Sequence, residues 1–270
     1  MNRRAVLVGV AVLLGALLLA AAVWRGTGGR WMTIETASMG EAAPVGTLVL
    51  TRPTTAGALH AGDIVSFRTP TGATYTHRVV RVKHGVVRTK GDVNGTVDPY
   101  RTTDDDLVGK VVARWWPIGF VLRALPYLLV LSALGWFLTG RLRRGPVRTA
   151  LRLLGASLLI AGIAVIQHPL VGVQVASARH EDGVTTANVV STGVFPIAVH
   201  ATGGADAHLS AGELGTVEGR HLDAHQRLPL HAAPHLRGWW LVAVILVCAA
   251  PLIAALWLGR RARVAGGAPV

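Results

Sequence analysis

The sequence has 270 residues, of which 51% are hydrophobic and only 15% are charged. With a mean hydropathy of +0.46, the chain is too apolar for an ordinary soluble domain. A formal net charge of +13 would suit nucleic-acid binding, but many of the arginines flank apolar runs, as the positive-inside rule predicts for a membrane protein. The single cysteine, Cys248, excludes an intrachain disulfide and argues against a thiol nucleophile or a cysteine-based zinc site.

The first element is an uncharged, mostly apolar run over residues 5–24, which is long enough to cross the core of a bilayer. A cleavable signal peptide would also begin with basic residues such as Arg3 and Arg4, but its apolar core is usually shorter than this run. We therefore expect residues 1–24 to form a short cytoplasmic tip and a retained transmembrane anchor.

Residues 25–117 are more polar and are rich in valine, threonine and isoleucine, with glycine, proline and asparagine turns at short intervals. This composition predicts five strands, at residues 45–50, 63–68, 74–83, 86–90 and 107–113. Short strands at this spacing predict a compact, largely antiparallel β domain, of a size that folds independently.

Three further apolar runs follow the β domain. We expect a second transmembrane helix at 118–139, a basic cytoplasmic loop at 140–152, a third transmembrane helix at 153–176 and a fourth at 238–259, followed by a tail at 260–270. The third run contains His168 and Pro169, whereas Trp239 and Trp240 are typical interfacial anchors for the fourth. Segment 177–237 has some β character and a histidine-rich end.

The arginines near the apolar runs predict the orientation of the chain. Both termini and the 140–152 loop would lie in the cytoplasm, and segments 25–117 and 177–237 would lie outside. The predicted architecture is therefore a mainly β extracytoplasmic domain combined with about four transmembrane helices, in a multi-pass protein of the cell membrane.

Three short segments of the β domain carry candidate catalytic residues. They are Thr36-Ala37-Ser38-Met39, then Thr76-His77-Arg78-Val79-Val80, then Lys90-Gly91-Asp92-Val93-Asn94 followed by Asp98. Each segment alone is uninformative, because most serines and histidines have no catalytic role. Together they offer a hydroxyl, an imidazole and a carboxylate, the groups from which a serine nucleophile and its general base are built.

Five segments of the domain, in this order, resemble the motifs of type I signal peptidases. They are Ser38-Met39 with the strand that ends at Val49, the Leu-x-x-Gly-Asp-Ile-Val segment at 59–65, the Thr76-His77-Arg78 segment, Lys90-Gly91-Asp92 with Asn94, and Val108-Gly109-Lys110-Val111. The resemblance covers roughly residues 5–138, so the chain would carry an extra C-terminal membrane region. Where most bacterial members have lysine before the arginine, this chain has His77, which is similar to the archaeal and endoplasmic-reticulum-type Ser/His branch.

The resemblance implies that Ser38 is the nucleophile and His77 its general base. Two carboxylates, Asp92 and Asp98, are candidates to orient the histidine, and we favour Asp98, with Asp92 as a supporting acid. The backbone N–H of Ser38 and the hydroxyl of Thr36 are the candidate oxyanion donors.

The remaining motif residues, Lys90, Gly91 and Asn94, are expected to be structural, with Lys90 as an alternative base. One departure from the family pattern, Gly40-Glu41 after Ser38-Met39, leaves the shape of the substrate pocket open.

The activity implied by the resemblance is that of a membrane-bound serine endopeptidase which removes signal peptides from exported preproteins, with no cofactor and no metal. Its partners would be secretory preproteins and the lipid bilayer, together with the export machinery, and not nucleic acid. The alternative is a catalytically inactive membrane scaffold or accessory protein that retains the same fold.

A histidine-rich tract before the last apolar run resembles a zinc site in its spacing. It contains His221, Asp223, His225, His231 and His235. Pro229 and Pro234 interrupt any continuous helix that would place these histidines on one face, so metal binding is not expected.

Overall fold

The structure is a computed structural model that describes residues 3–142, 145–166, 170–202, 204, 206–220, 228–247, 249–250 and 253. Over these residues the protein is mainly β, as predicted, and its sheets are antiparallel. The chain divides into two compact units, Met1–Gly119 and Phe120–Val270.

Two helices are long and apolar enough to cross a membrane, judged by length and composition. The first, α1, spans Arg3–Gly26, and the second, α2, spans Ile118–Gly140. The leucines and valines of α1 are exposed along most of its length. An apolar surface of this kind is stable against lipid and costs free energy in water, which supports association with a membrane.

The first unit is built on one six-stranded sheet. Its strands are β1 (Arg30–Thr33), β2 (Leu48–Arg52), β3 (Ile64–Arg68), β4 (Thr74–Lys83), β5 (Val86–Lys90) and β6 (Leu107–Trp115). They are arranged in the order β1-β2-β6-β3-β4-β5, so that the last strand lies between the second and the third. The predictions for β4 and β5 are confirmed to the residue. The short edge strand β1 was not predicted, because its four residues, Arg-Trp-Met-Thr, carry no alternating pattern.

Two clusters of buried side chains form the core of this sheet. One consists of Ile34, Met39, Ala43, Val49 and Ile64, and the other of Ala56, Leu59, Val65, Phe67, Val79 and Val87. Their positions on β4 and β5 follow the two-residue alternation of a strand that buries one face, whereas the first four residues of β3 are all buried. The alternation therefore fixes which side chains of β4 point into the domain.

Besides most of α2 and the helical residues between 239 and 253, the described residues of the second unit form one helix and six strands. They are α3 (Pro146–Ile166), β7 (Val173–Glu181), β8 (Val184–Ser191), β9 (Ile197–Ala201), β10 (Ala207–Leu209), β11 (Leu214–Gly219) and β12 (Leu230–Pro234). The strands form two three-stranded sheets, β11-β8-β7 and β10-β9-β12, whose inward side chains belong to one buried cluster. Segment 177–237, which was expected to have some β character, thus belongs to a small β sandwich.

The predicted third transmembrane helix at 153–176 is wrong at both ends. Helix α3 begins at Pro146, inside the expected loop at 140–152, and β7 begins at Val173. Val173 and Val175 belong to an alternating segment that pairs with β8, and this pairing outweighs the apolar composition that suggested a helix. Residues 167–169, which include His168 and Pro169, lie outside the described residues.

The predicted set of four transmembrane helices is not supported. Only α1 and α2 meet the length and composition expected of a membrane span among the described residues. Of the fourth predicted span, residues 239–247, 249–250 and 253 are helical. The rest of that span, including Cys248, and the tail at 260–270 lie outside the part of the chain that the structure describes.

Candidate active site

Ser38 lies in the first turn of a short 3₁₀ segment, Ala37–Ala42, that follows the extended residue Thr36. The next residue, Met39, is completely buried in the core cluster with Val49 and Ile64. Because Met39 is fixed in this way, the half-buried Ser38 side chain beside it has a defined position near the surface. Ser38 is therefore held by the core and remains accessible.

Gly40 accounts for the departure from the family pattern. Its φ of 51° and ψ of −138° divide the 3₁₀ segment into two turns, and this combination is open essentially to glycine alone. Gly40 is also buried. The residue thus makes a tight kink directly after Met39.

His77 lies on the inward face of β4. Its ring is buried, with Val65 of β3 as its cross-strand partner and Phe67 and Tyr75 at ring distances of 6.2 and 5.5 Å. An imidazole on this face would normally be a structural core histidine. Its two ring nitrogens, however, are both engaged by residues from other parts of the chain.

The side chains of Ser38, His77 and Asp98 form a continuous hydrogen-bonded chain. His77 Nε2 lies 3.0 Å from Ser38 Oγ, and His77 Nδ1 lies 2.7 Å from Asp98 Oδ2. An ionised carboxylate can only accept, so His77 carries its proton on Nδ1 and presents the lone pair of Nε2 to the serine hydroxyl. This is the tautomer in which histidine can remove the proton of Ser38.

Asp98 is held in place by contacts with β5. Its carboxylate accepts a second hydrogen bond from the hydroxyl of Thr89, at 2.6 Å, and its backbone N–H donates to the carbonyl of Thr89, at 2.8 Å. Its own carbonyl accepts from the guanidinium of Arg88, at 2.9 Å. The side chains of Asp98 and His77 are only 7% and 6% exposed, so little water competes for their hydrogen bond.

Asp92, the other candidate for orienting His77, is used elsewhere. Both of its oxygens accept from the guanidinium of Arg78, at 2.8 and 2.6 Å, and Arg78 also donates to the carbonyl of Gly62. The hydrogen bonds that Arg78 donates to Asp92 raise the pKa of Arg78. Asp92 therefore connects the loop after β5 to β4, next to the histidine, and does not contact His77 in this arrangement.

Gly91 and Asn94 support the backbone of the nucleophile. The N–H of Val93 donates to the carbonyl of Ser38, at 3.1 Å, and the N–H of Asn94 closes a turn onto the carbonyl of Gly91, at 3.0 Å. A Cβ at position 91 would lie 2.7 Å from the carbonyl oxygen of Ser38, so only glycine lets the two segments approach this closely.

Lys90, the alternative base, lies opposite Arg78 in the ladder between β4 and β5. Both ring nitrogens of His77 are already engaged, and it is His77 that lies within hydrogen-bond distance of the serine hydroxyl. The structure thus brings histidine, and not lysine, to Ser38.

Thr36 lies close to the nucleophile. Its hydroxyl is 3.3 Å from Ser38 Oγ, and its side chain is exposed on the open side of the site. A hydroxyl in this position can donate to an oxygen that forms beside Ser38, as an oxyanion donor must.

A cleft of about 500 Å³ opens next to Ser38 and His77. One wall is formed by residues 32–36 and the other by residues 73–77. The ladder between β4 and β5 begins at Arg78, so residues 74–77 pair only with β3 among the described strands. The cleft thus has an open strand edge along one wall.

Three residues of the site were not identified from the sequence. Thr89 is the second hydrogen-bond donor to the carboxylate of Asp98. The one feature that could have indicated this role is its inward position on β5, opposite Val79. The ring of Tyr75 lies 5.5 Å from that of His77, and the ring of Tyr100 lies 6.0 Å from that of Tyr75. Burial raises the pKa of Tyr100, and the neighbouring Tyr75 and the charge of Asp98 add to this effect.

No protein-family model matches this chain, and no curated protein has a sequence that matches it. Function is therefore inferred from the geometry of the site and from the motifs that carry its residues.

Proposed function

We infer that this protein is a membrane-bound serine endopeptidase of the signal peptidase I kind, which cleaves signal peptides from exported preproteins. The observation that carries this inference is the unbroken hydrogen-bonded chain from Ser38 through His77 to Asp98. Three residues from distant parts of the sequence meet there in the order that a nucleophile, its base and the orienting acid require.

Catalysis begins at the hydroxyl of Ser38. As its oxygen attacks the carbonyl carbon of the scissile peptide bond, His77 Nε2 takes the hydroxyl proton. The imidazolium that forms is stabilised by Asp98, whose own orientation is fixed by Thr89. The negative charge on the peptide oxygen is stabilised by the N–H of Ser38 and the hydroxyl of Thr36.

The second half of the reaction uses the same groups in reverse. His77 returns the proton to the nitrogen of the leaving amine, which leaves the N-terminal part of the substrate as an ester on Ser38. A water molecule then loses a proton to His77 Nε2 as its oxygen attacks the ester carbon. The bond to Ser38 Oγ breaks, His77 returns the proton to Oγ, and the N-terminal part of the substrate leaves with a new carboxyl group. No residue beyond those already in contact is required.

The cleft beside Ser38 suits an extended peptide. Residues 74–76 offer the backbone groups of an unpaired strand edge, onto which a substrate strand can add main-chain hydrogen bonds. The opposite wall, at residues 32–36, is close enough for the same peptide to contact both sides of the cleft. Such binding depends on the backbone of the substrate and tolerates many sequences.

The apolar helix α1 would bring the enzyme to the same bilayer as its substrate. It ends at Gly26, shortly before Ser38, so a membrane-embedded α1 keeps the nucleophile near the surface of the bilayer. A precursor whose signal segment lies in the same bilayer is then at a high effective concentration. The proposed topology is multi-pass, with cytoplasmic termini and residues 25–117 outside the cytoplasm.

The test is cleavage of a model preprotein by the full-length protein in detergent, with three site variants, Ser38→Ala, His77→Ala and Lys90→Ala, and two controls. We expect Ser38→Ala to have no measurable activity, and His77→Ala to lose at least about 10³-fold in rate. Ser210→Ala and His60→Ala, which change exposed residues of the same types, are the matched controls and should cleave at the wild-type rate.

Full activity in Ser38→Ala would refute the proposal. If His77→Ala stayed active while Lys90→Ala did not, the base would have to be reassigned to Lys90. If the wild type cleaved no precursor although its fold was intact, an inactive scaffold would be the better description.

A further inference from the structure

A second cavity of the first unit, with a volume of about 660 Å³, is strongly basic. We call it the basic cleft. Four cationic side chains, Arg81, Lys83, Arg88 and Arg101, line it together with His84, Val80, Val86 and Val97. None of these lining residues carries a carboxylate, and none of them lines the cleft beside Ser38.

Two of these cations lie directly opposite each other in the sheet. Arg81 of β4 and Arg88 of β5 are register partners, next to a bulge at Val80. Opposite residues of an antiparallel pair project to the same face, and like charges in this position repel each other. Lys83, two positions along the same face of β4, adds a third positive charge.

Other cations of the same domain are neutralised by carboxylates. Arg78 is paired with Asp92, and Lys110 is paired with Asp63 at 2.7 Å. Among the residues that the structure describes, none of the four cations of the basic cleft has such an ion pair, and Arg88 donates only to the backbone carbonyl of Asp98. No carboxylate among the described residues therefore offsets their repulsion through an ion pair.

The turn between the two strands brings a further donor to the cleft. His84 and Gly85 both have positive φ, 49° and 73°, as in a tight two-residue hairpin turn. Asparagine, aspartate and glycine are the usual residues there, so a histidine in the left-handed region is uncommon. It adds an imidazole to the lining without adding negative charge.

We propose that the basic cleft binds a phosphate-bearing anion, either a free polyphosphate or the headgroup of an anionic phospholipid. Arginine guanidinium groups donate paired hydrogen bonds to phosphate oxygens, and a doubly charged anion between Arg81 and Arg88 removes their repulsion. Val80, Val86 and Val97 leave room for an apolar portion of the ligand.

The cleft adjoins the loop that carries Asp98. Val97 lines it, and Arg88 holds the carbonyl of Asp98 at 2.9 Å. A bound anion that engages Arg88 therefore acts on the segment that positions Asp98. Binding itself does not depend on the proposed peptidase activity and can be measured without it.

The experiment measures the unfolding temperature of the full-length protein in neutral detergent as pyrophosphate, short-chain phosphatidylglycerol or short-chain phosphatidylcholine is added. We expect saturable stabilisation by at least one of the two anions and none by phosphatidylcholine. The double variant R81Q/R101Q should weaken the apparent affinity by about tenfold or more, because it removes two charge-assisted contacts.

The matched control is R68Q/R114Q, which removes the same charge from exposed positions of the same sheet outside the cleft. It should bind like the wild type, within about twofold. Stabilisation by pyrophosphate alone would identify a soluble anion, and stabilisation by phosphatidylglycerol would identify a lipid headgroup. Equal loss of affinity in the two double variants, or no saturable effect of either anion on the wild type, would overturn the proposal.

Discussion

Asp98 and Asp92 are close in sequence and identical in charge, yet the fold gives them different partners. Asp98 faces the buried His77 and receives a hydrogen bond from Thr89, whereas Asp92 is held by Arg78 near the surface. The difference arises because Asp98 pairs through its backbone with Thr89 of β5, which turns its side chain inward. Their substitution should therefore have different consequences.

We expect Asp98→Asn to lower kcat by about 10³- to 10⁴-fold, because the amide can donate to His77 Nδ1 and so favour the tautomer with its proton on Nε2. Asp92→Asn should lower kcat by less than about tenfold and act mainly on stability, through the loss of the ion pair with Arg78. Precursor cleavage under saturating substrate gives kcat, and thermal unfolding gives the stability. Asp105→Asn, at an exposed position, is the control. Equal losses of kcat in Asp92→Asn and Asp98→Asn would contradict the assignment.

The sequence predicts the pairing of Ser38 with His77 more strongly than it predicts which aspartate orients His77. A serine, a histidine and two aspartates occur in motif order, but spacing alone leaves Asp92 and Asp98 open. The choice depends on which carboxylate faces inward, and that follows from the pairing of Asp98 with Thr89. Thr89 itself belongs to an ordinary alternating strand, so nothing in its neighbours indicates a role.

At the level of elements, the turn after β5 determines where the nucleophile sits. The carbonyl of Ser38 contacts this turn through the N–H of Val93 and leaves no space for a side chain at Gly91. The turn and the 3₁₀ segment therefore fix each other's position through this hydrogen bond and close packing. Their contact links the segment that carries Ser38 to the loop that ends at Asp98.

We expect Gly91→Ala to destabilise the protein by about 1–3 kcal/mol and to lower activity, because the new Cβ would push Ser38 away from its place. Gly95→Ala, in the same loop but with open space around its Cα, is the matched control and should be neutral. Thermal unfolding and precursor cleavage check the two effects. Wild-type stability in Gly91→Ala would show that the turn is free to move.

The second unit has its own sensitivity to acid, through His235. Burial lowers the pKa of His235, and the nearby Arg237 and His208, whose ring lies 4.2 Å from it, lower it further. Because the folded state prefers neutral His235, this contribution to stability is present above the unfolded value of 6.5 and is lost as the pH falls through the folded pKa.

We therefore expect His235 to titrate below pH 6.5 in the folded protein, and the second unit to lose stability as the pH falls from that value. The measurement is an NMR titration of the histidine ring protons, with His235→Asn used to assign the signal. The same variant should unfold with less dependence on pH than the wild type. Titration of His235 above pH 6.5 would contradict the expected direction.

Across the whole molecule, the strands were easier to predict than the helix boundaries. In the first unit, runs rich in valine, threonine and isoleucine between turn residues predicted β4 and β5 correctly. In the second unit, an apolar run at 153–176 contains both the end of α3 and the start of β7. Composition alone does not separate the two, because valine and alanine serve in lipid-facing helices and in buried strands alike.

The proposed topology predicts which surfaces an external reagent can reach. In a Cys248→Ser background, Ala61→Cys and Thr202→Cys should react with a membrane-impermeant maleimide on intact cells. Gly145→Cys, between α2 and α3, should react only after the membrane is permeabilised. All three positions are exposed on the protein, so a difference in labelling would report the side of the membrane and not burial. Labelling of Gly145→Cys in intact cells would refute the topology.

The six-stranded sheet is preceded by α1 and followed by α2, the two helices apolar enough to enter a bilayer. If both are inserted, the chain is fastened to the membrane at each end of this sheet. A cut between Gly26 and Arg30 would then free the N-terminal helix but leave the sheet attached through its other end. For the proposed peptidase, retention at the membrane would thus be redundant, and damage at one end would not release its activity into solution.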